Sequence, residues 1–550
     1  MSLYIPIEFR NGFITLLTIL TLACQAFSQQ KPMRLWFDKP AYQPKEFTYK
    51  AKEFNNPFHF EEKGWFEALP VGNGRLGAMV FGGVFGERIQ LNESTLWDGY
   101  RRDAVNPLSG QALPEVQRLM FEGKNDASEQ LAEKTMLGVP PSVSPYQSLG
   151  DLFIEPLSAP QDTVYSHYRR WLSIDSAVAV TQFIHAGANY RREVFASHPA
   201  EVMVVRFSCD KPGGLNLRIR LMRQKDAVSV ASDAEPACIA MNGRINRLHE
   251  KTKKNVGMRF SAHVKAVSAT GNVAISKDGV LTVKNASDLV LYIAAATTYT
   301  KKNPAGACLQ TIRAAVRQPV AKLFQAHLAD YQALYNRVQI GLSPRSDADE
   351  LPQDKRLERV AKQGYEDPYL SELLFQYGRY LLIASSRKGP LPANLQGIWN
   401  QSMNPPWNSD FHTNINLQMN YMAAEAVNLA ECTLPLFSLM DSLAVHGRHT
   451  AKAMYNARGW VVHHLTDVFW RTAPADGVVG VWPMGSGWLA RHPFEHYLFS
   501  NDKAFLRNRA FPLMKGAALF YLDFLVPIPD GMPSAGKLVT NPSQSPENAF

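Results

Sequence analysis

The stretch TIRAAVRQPVAKLFQAHLADYQALYNRV, residues 311–338, is where the chain changes its period. Apolar residues recur every three to four positions, the pattern of one or two amphipathic helices, and the segment reads as a connector. Upstream, from about Trp36 to Thr300, short β-branched and aromatic runs alternate with turn signals: VMVVRFSC (202–209), LNLRIRLM (215–222), GVLTVKN (279–285) and LVLYIAAATTY (289–299). That spacing predicts a large antiparallel β-sandwich. Downstream of about Glu366 helical stretches dominate: YLSELLFQYGRYLLIASS (369–386), TLPLFSLMDSLAVHGRHTAKAMYNA (433–457) and AFLRNRAFPLMKGAALFYLDFL (504–525). Long helices joined by Gly-, Pro- and Trp-rich loops predict a helical toroid whose loops build a pocket at one end.

Bulk composition narrows the function. The 550 residues are 46% hydrophobic and 19% charged, with a formal charge of +9, which fits a globular protein of several domains. The basic residues are dispersed, and the densest cluster, Lys251, Lys253 and Lys254, has no interleaved aromatics, so no nucleic-acid partner is expected. Arg10 precedes an eleven-residue, mostly apolar run, Phe13 to Ala23, and Ala26-Phe27-Ser28 is a cleavage pattern. The run is too short to span a bilayer, so an export signal over residues 1–28 is expected, with a periplasmic or extracellular protein and no stable membrane insertion. Cys24 leaves lipoprotein anchoring open. The other four cysteines are widely spaced and show neither a CxxC nor a metal-ligand pattern.

The richest chemistry lies in LPANLQGIWNQSMNPPWNSDFHTNINLQMNY, residues 391–421, with seven Asn, two Trp, three Pro, one His and one acid, Asp410. It has neither helical nor strand periodicity and reads as a long shaped loop that enters a helix near Asn416. Amides hydrogen-bond hydroxyls and indole faces cover C–H surfaces, so such a loop suits a neutral polyhydroxylated ligand, with Trp399 and Trp407 as walls. The competing reading is a buried loop whose Asn side chains satisfy its own backbone.

Other motifs were weighed on their context. Gly72-Asn-Gly74-Arg-Leu-Gly77 matches G-x-G-x-x-G, but AMVFGGVFGERIQL follows as strand–turn–strand with no crossover helix. Tight turns in a β-domain are therefore expected rather than a nucleotide site. His492-Pro-Phe-Glu495-His496 has a zinc-compatible spacing, yet Pro493 and the aromatic surroundings favour packed helix histidines. His463-His464 opens a second polar-aromatic loop with Asp467 and Trp470, followed by Trp482 and Trp488. Glu547 sits in NPSQSPEN (541–548), where prolines on both sides limit the freedom of a positioned acid.

PVGNGRLGAMVFGGVFGERIQLNESTLWDGY (70–100), YQSLGDL (146–152), LPANLQGIWN, HTNINLQMNY, GWVVHHLTD and NPSQSPEN occur in the order seen in glycoside hydrolase family 95, which the chain resembles over nearly all of the part after residue 28. That family holds inverting α-L-fucosidases and some α-L-galactosidases. The resemblance implies an N-terminal antiparallel β-sandwich (29–305), a helical linker (306–360) and the N-terminal part of an (α/α)6 catalytic barrel (361–550). A barrel ending at Phe550 would have about half of its expected helices, so truncation is expected, with the rest of the barrel and a C-terminal β-domain absent. The resemblance also makes Glu547 the general acid and has Asn414 and Asn416 hold the attacking water. His412 falls at a position linked to the sugar's C6 side, where His favours fucose. Asp467, Trp482 and Trp407 are implied or plausible substrate contacts. An Asp that polarises the two amides comes from a later barrel segment in the family, and no matching motif lies within 1–550.

The expectation is thus an exported hydrolase that removes terminal α-L-fucose, α-1,2-linked, from oligosaccharides or glycans, with no metal or organic cofactor. An α-L-galactosidase on the same scaffold, or a non-catalytic carbohydrate-binding protein, are the alternatives.

Overall fold

A computed structural model describes residues 33–43, 63–342, 350–364, 367–389 and 391–545. The N-terminal half is built from two antiparallel sheets. The larger has nine strands in the spatial order Arg34–Phe37, Tyr165–Ser173, Val178–His185, Ala188–Ser197, Val202–Cys209, Asp288–Thr297, Arg259–Val267, Cys238–Arg244 and Ala227–Ala231. The smaller has seven, from Asn272–Ile275 through Leu281–Ala286, Leu215–Met222, Gly150–Pro156, Glu87–Glu93 and Leu76–Val80 to Leu69–Gly72. Ile89, Leu91, Leu152, Ile219, Met203, Val205, Val264 and Leu291 belong to the apolar core of this half.

The run VMVVRFSC forms its strand over Val202–Cys209 as predicted, and the reason it is apolar at consecutive positions is that both of its faces are covered. Met203 and Val205 join the main core, whereas Val202 and Val204 pack with Cys308, Ile312 and Ala315 of the helix Pro304–Val316. That helix starts at Asn303, whose side chain caps the Gly306 N–H, with Pro304 in the first turn. A second helix, Val320–Tyr335, also lies on the β-domain: Tyr331 and Leu334 enter its core and His327 Nε2 sits 2.9 Å from the Ser176 carbonyl. The connector read from the sequence is therefore a two-helix cover for the large sheet.

The helical half contains Pro368–Ser385, Leu434–Tyr455, Arg491–Ser500 and Phe511–Phe524. Three details depart from the sequence reading. The region read as strands from about 36 to 300 also holds helices, the short Lys63–Glu67 and the longer Ser109–Phe121 and Asn125–Thr135, and Val116 and Ala132 of the longer two pack with Ala451 and Met454 of the long helix Leu434–Tyr455. The helix read over 504–525 runs without a gap from Lys503 to Phe524, but residues Leu506–Ala510 form a π-helical turn within it, next to Pro512, which lacks the N–H that a regular ladder needs. The helix entered at Asn416 stops at Met422 after seven residues. No helix among the described residues is long and apolar enough to cross a membrane, and Cys209, Cys238, Cys308 and Cys432 are buried free thiols.

The two halves are joined by close backbone approach. The G-x-G-x-x-G segment makes the tight turn of the hairpin Leu69–Gly72 and Leu76–Val80, and AMVFGGVFGERIQL runs on as strand–turn–strand, Leu76–Val80 pairing with Glu87–Glu93. A Cβ on Gly72 would lie 2.5 Å from the Ala384 carbonyl oxygen, and Gly74, at φ +85°, has Arg387 2.7 Å from the same point. Tyr380 Oη donates to the Pro70 carbonyl at 2.6 Å. The glycines let the helical half dock on the hairpin.

Candidate active site

Phe411–His412 and Leu465–Thr466 pair as a short antiparallel ribbon, which brings the Asn-rich loop against the His463-His464 segment. Thr413 N–H donates to the His464 carbonyl at 2.8 Å, and Thr413 Oγ1 donates to the His463 carbonyl. Beneath the ribbon, Trp97 of the β-domain stacks on Phe411 with ring centroids 5.3 Å apart. The site segment is thus held from below by the N-terminal half.

Asp410 lies two residues before His412 and Asn414 two residues after it, where the ribbon gives way to a turn ahead of the helix at Asn416. Asp410 is fully buried, and its Oδ1 lies 2.6 Å from His412 Nδ1. Burial pushes the Asp410 carboxyl up to about 6; contact with His412 opposes this, and the fields of Asp467 and Asp476 add to it. Asn414 is half-buried, and its Oδ1 is shut off from solvent with no hydrogen-bond donor among the described residues. Asn416 opens the seven-residue helix two residues further on. An acceptor in that state is matched by a bound hydroxyl or water.

The other amides of the loop divide differently. Asn400 is buried and bridges the two halves: its carbonyl accepts from Gln90 Nε2 at 2.9 Å and Asn92 Nδ2 at 2.7 Å, and its N–H donates to Asn92 Oδ1 at 3.1 Å. Its own side chain donates to the Ser402 and Tyr146 carbonyls. Asn394 Oδ1 accepts from Gln396 N–H and Ser409 Oγ. For Asn394 and Asn400 the self-satisfying reading is the right one. Only part of the loop is left for a ligand.

The two indoles of the loop separate in the same way. Trp399 is 6% exposed, sits in the main core and donates from Nε1 to the Val71 carbonyl at 3.0 Å, so it is an interdomain anchor rather than the pocket wall expected from sequence. Trp407 is 45% exposed and has φ +47°, followed by Asn408 at +55° and Ser409 at +46°. Three successive non-Gly residues in the left-handed region are strained backbone of the kind found at functional loops.

The remaining sequence candidates fall around this centre. Both oxygens of Asp467 are engaged by backbone amides, Oδ2 by Ser144 N–H and Oδ1 by Phe469 N–H, each at 2.9 Å. His463 is enclosed between Tyr455 Oη at 2.7 Å and the Thr472 carbonyl at 2.6 Å, and burial lowers it to about 4. His464 is lowered to about 3 by burial and by the neighbouring His412 and His463. Both rings are neutral near pH 7. A Cβ on Gly480 would lie 2.9 Å from His464 Cε1, which places Val481 and Trp482 beside this wall. Trp482 is half-buried, edge-on to Trp488 at 6.5 Å.

The loop that leads to Glu547 arrives at the same wall. Gln544 N–H donates to the Val481 carbonyl at 2.9 Å, and Asn541 and Gln117 exchange side-chain-to-carbonyl bonds of 3.2 and 2.9 Å. Glu547 itself lies outside the described residues, as does the segment 1–28 read as an export signal. Gln117 and Asn541 are 424 positions apart, so no local signal in the sequence announces their pairing. Asp410 stood out in the sequence as the nearest acid to the Asn414 and Asn416 pair, a fallback partner for their amides; its contact with His412 was not read there. At the H-x-x-E-H motif, His496 Nδ1 contacts Glu425 Oε1 at 2.7 Å and Glu495 pairs with Arg491 at 2.8 Å. Among the described residues no group of three His, Cys, Asp or Glu is placed to hold a metal ion.

An antiparallel β-domain packed on a helical half whose loops gather amides, indoles and a buried acid–His contact is the architecture of β-sandwich plus (α/α)6 glycoside-processing enzymes. A solved structure from the human microbiome assigned as a kojibiose phosphorylase shares the fold at a TM-score of 0.53 and 10% identity, over 83% of this chain and 57% of that one. Residues 35–302 match the glycosyl hydrolase family 65 N-terminal domain, and residues 319–550 match the glycosyl hydrolase family 95 catalytic domain. Residues 319–550 thus belong to glycoside hydrolase family 95. The chain is 38% identical over 517 residues to Alpha-L-fucosidase 2 of Arabidopsis thaliana, covering 89% of this chain and 60% of that protein. It is 33% identical over 510 residues to the assigned alpha-fucosidase A of Aspergillus niger, covering 88% of this chain and 61% of that protein. The chain therefore spans about three fifths of the length of these relatives.

Proposed function

We propose that this protein acts as a glycoside hydrolase that releases terminal α-L-fucose from oligosaccharides or glycans with inversion of the anomeric centre. The observation that carries the reading is Asn414 Oδ1, a buried acceptor with no donor among the described residues, in a loop of a chain similar to α-fucosidases. Inversion needs an acid on the leaving-group oxygen and a water on the opposite face, with the two groups about 6.5–9.5 Å apart. Glu547 supplies the proton, and Asn414 with Asn416 hold the water. An amide oxygen is a weak proton acceptor, so a carboxylate that accepts from the amide N–H is needed to strengthen it. Trp407 and Trp482 cover the sugar's C–H surfaces, and His412 meets its C6 side.

The test uses an aryl α-L-fucoside and the full-length protein. Glu547→Gln is expected to lower kcat by about 10²–10⁴-fold while leaving KM near the parent value. Proton NMR of the first product should show β-L-fucose. Appearance of the α anomer first would refute inversion, and a parent that binds fucosides without turning them over would leave the carbohydrate-binding alternative standing. Faster turnover of the matched α-L-galactoside would replace fucose with galactose. The α-1,2 linkage is tested by fucose release from 2′-linked against 3-linked oligosaccharides. Arg10 and the apolar run 13–23 support export, with Cys24 as a lipidation site in the alternative; N-terminal sequencing of the exported protein should start at Gln29.

A further inference from the structure

We propose that Asp410 is a positioning residue for His412: its buried carboxyl fixes the ring through Nδ1 and decides whether Nε2 presents a lone pair or a proton to the sugar. The inference rests on the reading of His412 as a sugar contact. Two carboxyls near the ribbon allow a comparison. Asp467 accepts two backbone N–H bonds, which is what a structural loop carboxylate does. Asp410 is fully buried, yet neither of its oxygens accepts a hydrogen bond from the described residues, and the contact it makes is the close approach of Oδ1 to His412 Nδ1 at 2.6 Å. A buried carboxylate left with so few donors is expensive, and a residue serving only the loop's backbone would accept from that backbone.

The ring chemistry follows from the contact. With Asp410 ionised, Nδ1 carries the proton and the neutral imidazole offers Nε2 as an acceptor. A second proton makes Nε2 a donor, and the carboxylate steadies the resulting imidazolium. The fields of Asp467 and Asp476 favour a proton on Asp410, the neutral rings of His464 and His463 lie nearby, and Arg471 acts on His464 and Asp467. Burial pushes the Asp410 carboxyl up to about 6, and at 2.6 Å a proton on one group changes the field at the other.

Asp410→Asn keeps the size and removes the charge. In protein labelled with ¹⁵N-histidine, with His412 assigned through His412→Gln, the variant's His412 should hold its second proton about tenfold or more weakly than in the parent. Fucose affinity measured by calorimetry should shift its pH dependence toward lower pH by a matching amount. An unchanged His412 titration overturns the inference. Where Asp410→Asn does not fold, the parent decides: a two-step ¹⁵N titration of His412 supports the pair, and a single step at the ordinary imidazole midpoint overturns it. Because the titration needs no turnover, a parent that binds no fucose refutes the fucoside reading without touching the His412 result.

Discussion

Asn92→Ala should loosen the loop that carries the candidate site from the domain beneath it. On the strand Glu87–Glu93, Ile89 and Leu91 face the β-core, while Gln90 and Asn92 point the other way and are buried by the loop at Asn400. Asn92 Nδ2 donates to the Asn400 carbonyl at 2.7 Å, and its Oδ1 accepts from Asn400 N–H at 3.1 Å. After truncation the carbonyl still receives Gln90 Nε2, so one bond worth about 1 kcal/mol is lost there. The Asn400 N–H is left buried and unpaired, which costs roughly 1–3 kcal/mol more. The sum, about 2–4 kcal/mol, is a large share of a typical folding stability of roughly 5–15 kcal/mol. Urea unfolding followed by tryptophan fluorescence reads the total, and amide exchange at residues 399–403 shows whether the loop opens alone. Asn404→Ala, at an exposed position of the same loop, is the control, expected within about 0.5 kcal/mol of the parent. A loss below about 0.5 kcal/mol for Asn92→Ala, with unchanged exchange, would refute the view that this amide cluster pins the loop.

Two further substitutions probe other parts of the fold. Gly72→Ala would put a Cβ 2.5 Å from the Ala384 carbonyl oxygen and should cost about 1–3 kcal/mol, whereas Gly86→Ala meets nothing within 4 Å and should be near neutral; equal unfolding midpoints would remove the docking role of the hairpin. His263 is 2% exposed, neither ring nitrogen has a hydrogen-bond partner among the described residues, and burial lowers it to about 4, so His263→Leu should stabilise by about 1–3 kcal/mol at pH 7. The sign of its pH dependence is fixed by that depression. Between pH 6.5 and 4 the unfolded chain binds a proton that the folded chain refuses, so the parent loses stability as pH falls. At pH 5 the advantage of the Leu variant should therefore grow by about 2 kcal/mol. A pH-independent difference between His263→Leu and the parent would contradict this.

Much of the architecture was legible because it follows from periodicity. The strands at 202–209 and 215–222 and the helix at 369–386 were read within a residue or so, since each buries a face over its whole length. The helices Ser109–Phe121 and Asn125–Thr135 were not legible. Their apolar residues are satisfied by the distant helix Leu434–Tyr455, so no local pattern of the β-region announces them. The π turn at Leu506–Ala510 was hidden for another reason: the helix formers around Pro512 outweigh, in composition, the one missing N–H that reshapes the backbone.

The sequence by itself determined the order of a β-half and a helical half, the membership suggested by its long motifs, and the loop in which the chemistry lies. These depend on neighbours along the chain and on residue identity. Only the tertiary structure decided what each member of that loop does. Asn400 and Trp399 carry the same donors and ring as Asn414 and Trp407, yet the first pair is consumed by the β-domain while Asn414 keeps an acceptor that no described residue fills and Trp407 stays half-exposed. The difference is solvent exclusion and partner geometry, set by strands some three hundred residues away, and no pattern local to the loop contains it. Asp410 is the clearest case. Its charge is written in the sequence, but its burial and its contact with His412 exist only once the ribbon has formed.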